Sequence, residues 1–428
     1  MASTVLTTSK LQAVHSQRST MLPIVLALLA FSVFINYIDR GNLAIAAPLL
    51  KDELGLSASR LGILLSAFFW TYTALQFVCG WFIDRFDVNR VLAAGYLAWS
   101  VATAATGLVN GFAMLVVMRL LLGVGESVAF PAYSKILVRH CPEHQRGFAN
   151  GIIIAGMKCG PAVGTLGAGL LMANYGWRPV FIGIGLLSLV WLPAWMKWMP
   201  RREEAARPLT VAPRVVDILR QRSFWGSAAG AFCTAYPLYF TISWIPFYLV
   251  HEHHLSMQSM AKIAALYYSV DAISAFATGW LTDFWIRSGA TTTVVRKSAM
   301  ILGWTTAAIG FLGCSSVGSH SPLGWLIVAA VGCGIGNSGL WAFSQTLAGS
   351  QAVGRWTGLQ NGIGNLAGIV GPALTGFTVD WTGHFQVALV ITAAVCLSGV
   401  LAWLFLVGEV KQVTWPQRVV GDLAQTAS

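Results

Sequence analysis

Six ionisable side chains sit deep inside stretches that are otherwise apolar: Asp39, Arg40, Arg119, Glu126, Lys158 and Asp271. A charge at the centre of a membrane-crossing helix costs at least ~2.5 kcal/mol, so a group kept there faces a bundle interior and needs a partner or a task. Arg119 and Glu126 stand seven residues apart, two helical turns, on one face and ~10 Å apart along the axis. The first and fourth apolar runs cross in opposite senses. Counting from their ends puts Arg40 and Arg119 in the outer half, with Glu126 and Lys158 nearer the middle. Three cations therefore converge on a cavity in the first half of the chain.

Such a cavity suits an anion. Arginine offers a planar fork that binds a carboxylate through two parallel bonds and keeps its charge at any useful pH. Asp39 and Glu126 work against it. Ionised, they neutralise the cations and compete with a substrate; protonated, they release positive charge for a substrate carboxylate to occupy. Burial raises a carboxyl pKa and a nearby arginine lowers it, so both can titrate in a useful range. This is symport by charge competition. The competing reading is a set of permanent salt bridges that fix helix packing. Lys158 would meet a second carboxylate, a sulfonate or Glu126. Asp271 has no cationic neighbour that spacing identifies; it is a second proton site, or it bonds Tyr267, Tyr268 or neighbouring helices. The second half offers neutral groups, with Tyr236 and Asn361 foremost as substrate contacts. Tyr239, Trp244, Trp341, Ser344, Gln345, Gln360 and Asn365 stand behind them, although such residues also serve helix packing.

The elements that must position these groups follow from composition. Of 428 residues, 56% are hydrophobic and 10% charged, against about a quarter charged in a soluble domain. Apolar stretches of roughly 20 residues recur, each long enough to cross a ~30 Å hydrocarbon core, and nothing alternates as barrel strands do. The chain is predicted to be an all-α membrane protein with twelve transmembrane helices. The spans fall near 22–48, 61–83, 91–109, 112–136, 148–172, 179–198, 224–250, 261–283, 298–314, 323–348, 356–379 and 385–407. With these spans, roughly 20 of the 27 Lys and Arg lie on the N-terminal side and about 4 on the other, which makes both termini cytoplasmic. The net charge of +11 is thereby a matter of topology, and a nucleic-acid partner is not expected.

Two halves repeat one another. Gly80-Trp81-Phe82-Ile83-Asp84 closes the second span and Gly279-Trp280-Leu281-Thr282-Asp283 the eighth. Asn150-Gly151 and Gly160-Pro161-Ala162 match Asn361-Gly362 and Gly371-Pro372-Ala373 at equal spacing. Gly123-Val124-Gly125-Glu126-Ser127 lines up with Gly334-Ile335-Gly336-Asn337-Ser338. The expected organisation is a cytoplasmic tail over 1–20, a six-helix bundle over 21–198, an arginine-rich cytoplasmic linker over 199–222, a second bundle over 223–408 and a cytoplasmic tail over 409–428. Two pseudo-symmetric six-helix bundles around a midplane site are the architecture of the major facilitator superfamily, which this chain resembles. The resemblance extends to Gly80, Asp84, Arg85 and Arg90, which look like that superfamily's cytoplasmic gate signature, with Asp283 as the repeat's counterpart. The match fails at Asp87, where glycine is usual; aspartate tolerates a left-handed backbone, so the turn is expected to survive.

The run Asn36-Tyr37-Ile38-Asp39-Arg40-Gly41-Asn42-Leu43, with Arg119, Glu126 and Pro131, is similar to the anion:cation symporter family, which includes galactonate and hexuronate carriers, sialin and the vesicular glutamate transporters. The resemblance implies that Arg40 and Arg119 hold a substrate carboxylate or shape its site, while Asp39 and Glu126 carry proton coupling. Lys158 departs from the sugar-acid carriers, where an uncharged polar group is expected, and it favours dicarboxylates or sulfonated acids. The function implied is proton-coupled import of a small organic anion by alternating access, in a bilayer, as a monomer; a bacterial inner membrane is the expected site. Coupling to Na⁺, anion exchange, or a sensor that no longer transports remain alternatives. No nucleophile–base pair or metal cluster lies within the spans and no phosphate-binding loop occurs, so neither an enzyme nor a cofactor is expected. The seven cysteines are scattered and read as packing residues.

Overall fold

The computed structural model describes residues 2–141, 146–199, 213–316, 322–337, 339–407 and 411–415. Side chains of residues 2–21 and of several helix positions, including Gly80, Trp81, Asp84 and Trp341, lie outside the described set, as do Arg201, Arg202 and Arg207 of the expected linker. The described residues form fifteen α-helices, one π-helical turn and no strand. In chain order they are α1 (Ala2–Leu54), α2 (Ala58–Arg85), α3 (Val88–Thr106), α4 (Phe112–Ser127), α5 (Ala129–His140), α6 (Arg146–Tyr175), α7 (Trp177–Ser188) and α8 (Trp191–Trp198). There follow α9 (Val215–Leu219), α10 (Arg222–His251), α11 (Met257–Arg287), α12 (Thr292–Ser315), α13 (Pro322–Asn337), α14 (Leu340–Thr382) and α15 (Gln386–Leu401), which runs into the π turn Ala402–Leu406.

These helices make the twelve expected passages, arranged as two six-helix bundles. Three passages are broken among the described residues: α4 into α5, α7 into α8, and the tenth between α13 and α14. Pro131 is the third residue of α5 and Pro193 the third of α8. Each lacks the N–H that the carbonyl four residues back would accept, so each helix ends and restarts just before it. The tenth and eleventh passages are joined the other way. Two helical stretches of α14, one on either side of Gly349, belong to the two passages; Gly349 itself is non-helical, with φ 63° and ψ 174°, and turns the chain between them at a single residue. Only glycine enters that left-handed region without strain. Length and apolar composition alone qualify eight segments to cross a membrane, and α13 is a shorter apolar helix. The first helix also begins earlier than the expected span, at Ala2.

The halves meet along three helix pairs: α2 on α14, α6 on α11 and α1 on α10. We call the end where α1 finishes and α2 begins the distal end, and the end where α2 finishes the proximal end. Small residues line the seam distally. A Cβ on Gly62 would lie 2.6 Å from the Pro372 carbonyl oxygen, and one on Gly169 would lie 2.5 Å from the Ala261 Cβ. This is how backbones approach closely when lipid gives no hydrophobic push between helices. Asp380 then clasps the seam. Its carboxylate accepts the Ala58 and Ser59 backbone N–H groups at 2.8 Å each, and the Ser59 hydroxyl as well. An anion thus caps the N-terminus of a helix belonging to the other half. Lys51 lies 5.2 Å from the Phe247 ring centroid at the same end. Proximally, residues 411–415 strap the Gly349 joint. The Val413 N–H donates to the Leu347 carbonyl (2.9 Å), and the Trp415 indole N–H to that of Ala348 (2.8 Å).

Replacing Asp380 with Ala should weaken distal closure by about 1–2 kcal/mol, the value of a lost helix cap. In a background without the native cysteines, a cysteine at buried Thr375 should then react several-fold faster with a membrane-impermeant maleimide. An unchanged rate would mean that the cap does not hold the halves together.

Candidate functional site

The site is built where α1, α2 and α4 face one another. On α1, Arg40 and Tyr37 lie one turn apart, as do Phe68 and Tyr72 on α2, so each pair shares a face. The α2–α4 contact is close because Gly123 has no side chain to hold it off the Phe68 carbonyl and Thr71. That approach sets the Phe68 ring between two guanidinium groups. Arg40 lies 5.2 Å from its centroid and Arg119 also lies 5.2 Å from it. Arg40 is further enclosed by Tyr72 at 4.6 Å and Tyr37 at 4.9 Å. Ring faces attract a cation and shed water, so they let a charge be buried with fewer hydrogen bonds.

The two arginines are treated differently. The Arg40 Nε donates to Glu126 Oε2 at 2.7 Å, an ion pair in which the side chains are 5% and 0% exposed. Arg119 is 5% exposed, and among the described residues no carboxylate lies within ion-pairing distance of it. Its Nε is enclosed without a hydrogen-bond partner. Asp39 is also buried, its Oδ1 accepting from Asn42 Nδ2 at 3.3 Å, with the Thr103 hydroxyl facing the same carboxylate beyond close hydrogen-bond geometry. Further buried polar atoms here lack a close hydrogen bond: Arg40 Nη2, and the Asn36 amide and Glu126 Oε1, which face one another. Buried polar atoms are nearly always paired, so such a concentration marks a place built to engage something beyond the chain itself.

The opposite half brings neutral groups to the same region. Tyr239 of α10 packs on Phe69 at 4.3 Å between centroids, lies within electrostatic reach of Arg40, and its hydroxyl donates to Asn365 Oδ1. Asn365 Nδ2 is unpaired. Tyr236 is fully buried close to Gly371, and Asn361 is half-buried one turn before Asn365.

Lys158 does not join the other cations. Its Nζ donates to Asp271 Oδ2 at 2.7 Å, a bridge from α6 to α11 and so from one half to the other. Asp271 therefore has the cationic neighbour that spacing did not reveal. At the proximal end Arg85 and Arg90 are exposed, as is Asp283, while the surroundings of Gly80 and the Asp84 side chain lie outside the described set. Asp87 is not left-handed. At φ −66° and ψ 114° it is extended and caps α3, its Oδ1 accepting the Asn89 and Arg90 N–H groups at 2.9 and 3.2 Å. A helix cap is thus what aspartate supplies where glycine was expected.

Sequence reasoning missed the aromatic enclosure of Arg40. Its signal was Phe68 and Tyr72 at i and i+4 on a helix next to the first. Among the described residues no group of His, Cys, Asp or Glu is placed to hold a metal.

Comparisons with known proteins agree with this architecture. The chain is 29% identical over 404 residues to the hexuronate transporter of Bacillus subtilis, covering 89% of this chain and 93% of that one. It is 28% identical over 426 residues to a Cupriavidus necator protein named "Probable sulfoacetate transporter SauU", covering 95% and 98%. Its fold superposes on the crystal structure of a bacterial homologue of the human lysosomal transporter Spinster, in the inward-facing and occupied conformation, with a TM-score of 0.74 at 18% identity over 89% of this chain and 95% of that one. Residues 29–295 and 263–423 match the Major Facilitator Superfamily. With nearly its whole length so matched, the chain belongs to the major facilitator superfamily, and it is a transporter and not an enzyme.

Proposed function

We propose that the protein imports a small organic anion by proton symport, alternately opening one site to either side of the membrane. The substrate class is a sugar acid, a dicarboxylate or a related carboxylate or sulfonate. The observation that carries this reading is the pair of guanidinium groups on the Phe68 ring, only one of which is matched by a carboxylate. A buried arginine without a counter-ion is costly, and a planar anion is what satisfies it best. The similarity to carriers named for hexuronate and sulfoacetate supports the same chemistry.

Arg119 takes the substrate carboxylate, and Arg40 joins once Glu126 lets go. Glu126 lets go when it is protonated, because a neutral carboxyl no longer matches the guanidinium charge. A proton entering with the substrate thus frees Arg40, and its loss on the other side restores the Arg40–Glu126 pair and expels the anion. Asp39, buried beside the same cations, modulates that exchange. Tyr236, Tyr239, Asn361 and Asn365 meet the substrate's neutral groups. The proximal end is the cytoplasmic one, gated by Gly80, Asp84, Arg85, Arg90 and Asp283. The bundles over 21–198 and 223–408 rock about the seam in a bacterial inner membrane, and the protein acts as a monomer.

Arg119→Ala should reduce uptake of any accepted acid into proteoliposomes about 100-fold, the value of two charge-assisted bonds. Uptake at the wild-type rate would take Arg119 out of the site. Glu126→Gln should abolish accumulation driven by an imposed pH gradient and spare exchange of internal for external substrate. Equal loss of both would remove Glu126 from coupling. Accumulation that follows an imposed Na⁺ gradient and ignores the pH gradient would overturn proton symport itself.

A further inference from the structure

The Lys158–Asp271 bridge is left over by that mechanism, and it differs from the Arg40–Glu126 pair in three ways. It joins the two halves, whereas Arg40 and Glu126 belong to one. Its side chains are 12% and 10% exposed against 5% and 0%, so it is the more accessible pair. It is also incomplete: Asp271 accepts through Oδ2 while Oδ1 is enclosed without a partner.

Its depth follows from helix register. The helices α1 and α6 run in the same direction, Gly156 meeting Ala30, Gly160 meeting Tyr37 and Gly164 meeting Ile38. Lys158 is therefore level with about residue 33 of α1, some seven residues or ~10 Å proximal to Arg40 along the axis. An offset of that size between the two backbone positions suits a small molecule that carries an anionic group at each end. An ammonium is a point charge that makes rotatable contacts, so it can exchange one carboxylate for another without rebuilding its surroundings.

Resting on the function proposed above, we infer that Lys158 is a second anion subsite, held by Asp271 until a substrate with an anionic group at each end displaces it. One head of the substrate lies on Arg119 and Arg40, and the other on Lys158. The carrier thereby prefers dianions, such as dicarboxylates or sulfonated carboxylates of a few carbons, to monoanions of the same skeleton. Charge must balance when Asp271 leaves Lys158, because an ionised carboxylate without a partner is costly at that depth. Asp271 takes up a proton from water on the entry side, forming an O–H bond, and returns it when the bridge re-forms. A dianion is then carried with one more proton than a monoanion. Besides Lys158, the titratable groups seen to interact with Asp271 among the described residues are Tyr267 and Tyr268 of its own helix and Cys333 of α13. Lys158 is the only cation among them.

The test uses purified full-length protein and matched pairs of ligands: galactonate with galactarate, and glycolate with sulfoacetate. Affinities are measured by thermal shift and by competition for uptake. In the wild type, the dianion of at least one pair should bind about tenfold or more tightly than its partner. Lys158→Gln should lower that dianion-to-monoanion ratio about tenfold. Asp271→Asn, which removes the competitor and keeps the cation, should raise it several-fold and flatten its pH dependence. Equal affinity within both pairs, or a ratio that neither variant changes, would overturn the inference and reduce the bridge to a strut between halves. Loss of the ratio in both variants would do the same. If the wild type bound neither member of either pair, the anion-carrier reading would itself fail, a result distinct from all of these.

Discussion

A guanidinium keeps its proton inside a membrane, so burying Arg40 is costly unless an anion, the chain's own or a bound one, stands with it. Much of the first half serves that constraint. Glu126 supplies the anion at 2.7 Å, and Tyr37, Phe68 and Tyr72 replace the water that the cation has lost. The break between α4 and α5 falls two residues after Glu126, and Gly123 lets α2 lie close enough for Phe68 to reach both arginines. None of this serves stability as such. A buried ion pair replaced by apolar residues of equal volume often leaves a protein as stable or more so, by about 1–4 kcal/mol. A charge kept at such expense is kept for what it binds.

The scaffold is symmetric and the chemistry is not. In the register that aligns Gly123 with Gly334 and Asn150 with Asn361, the counterparts of Arg119, Glu126 and Lys158 are Ala330, Asn337 and Ile369. One half carries fixed positive charge at the site, and the other lends neutral hydrogen-bonding groups there, with Asp271 on Lys158 and, at the distal end, Asp380 on the start of α2. Most of the charge pairing at the site is thereby confined to one bundle, and the charged contacts that cross to its partner include the Lys158–Asp271 bridge and the Asp380 clasp.

What could be read from sequence was whatever depends on local spacing. Twelve apolar runs give twelve passages, and Arg119 and Glu126 share a face because seven residues make two turns. The site charges were legible for the same reason: charges are rare in lipid, so each one stands out. What depends on register between distant helices was not. No periodicity links Lys158 to Asp271, 113 residues away, since their meeting is decided by how α6 slides along α11. The ring stack around Arg40 was hidden because aromatic residues are common in every span. The turn at Asp87 was misread because its backbone angles follow from the cap it makes for α3, a choice left open by the residue type.

The strap over residues 411–415 has a practical side. Its bonds to Leu347 and Ala348 tie the chain to the joint between the tenth and eleventh passages, so that stretch travels with the second bundle as part of its frame. A fluorophore attached just after Trp415 would therefore follow the tilting of that bundle directly. Paired with a second dye on the first bundle, it would turn the transport cycle into a distance that can be watched one molecule at a time.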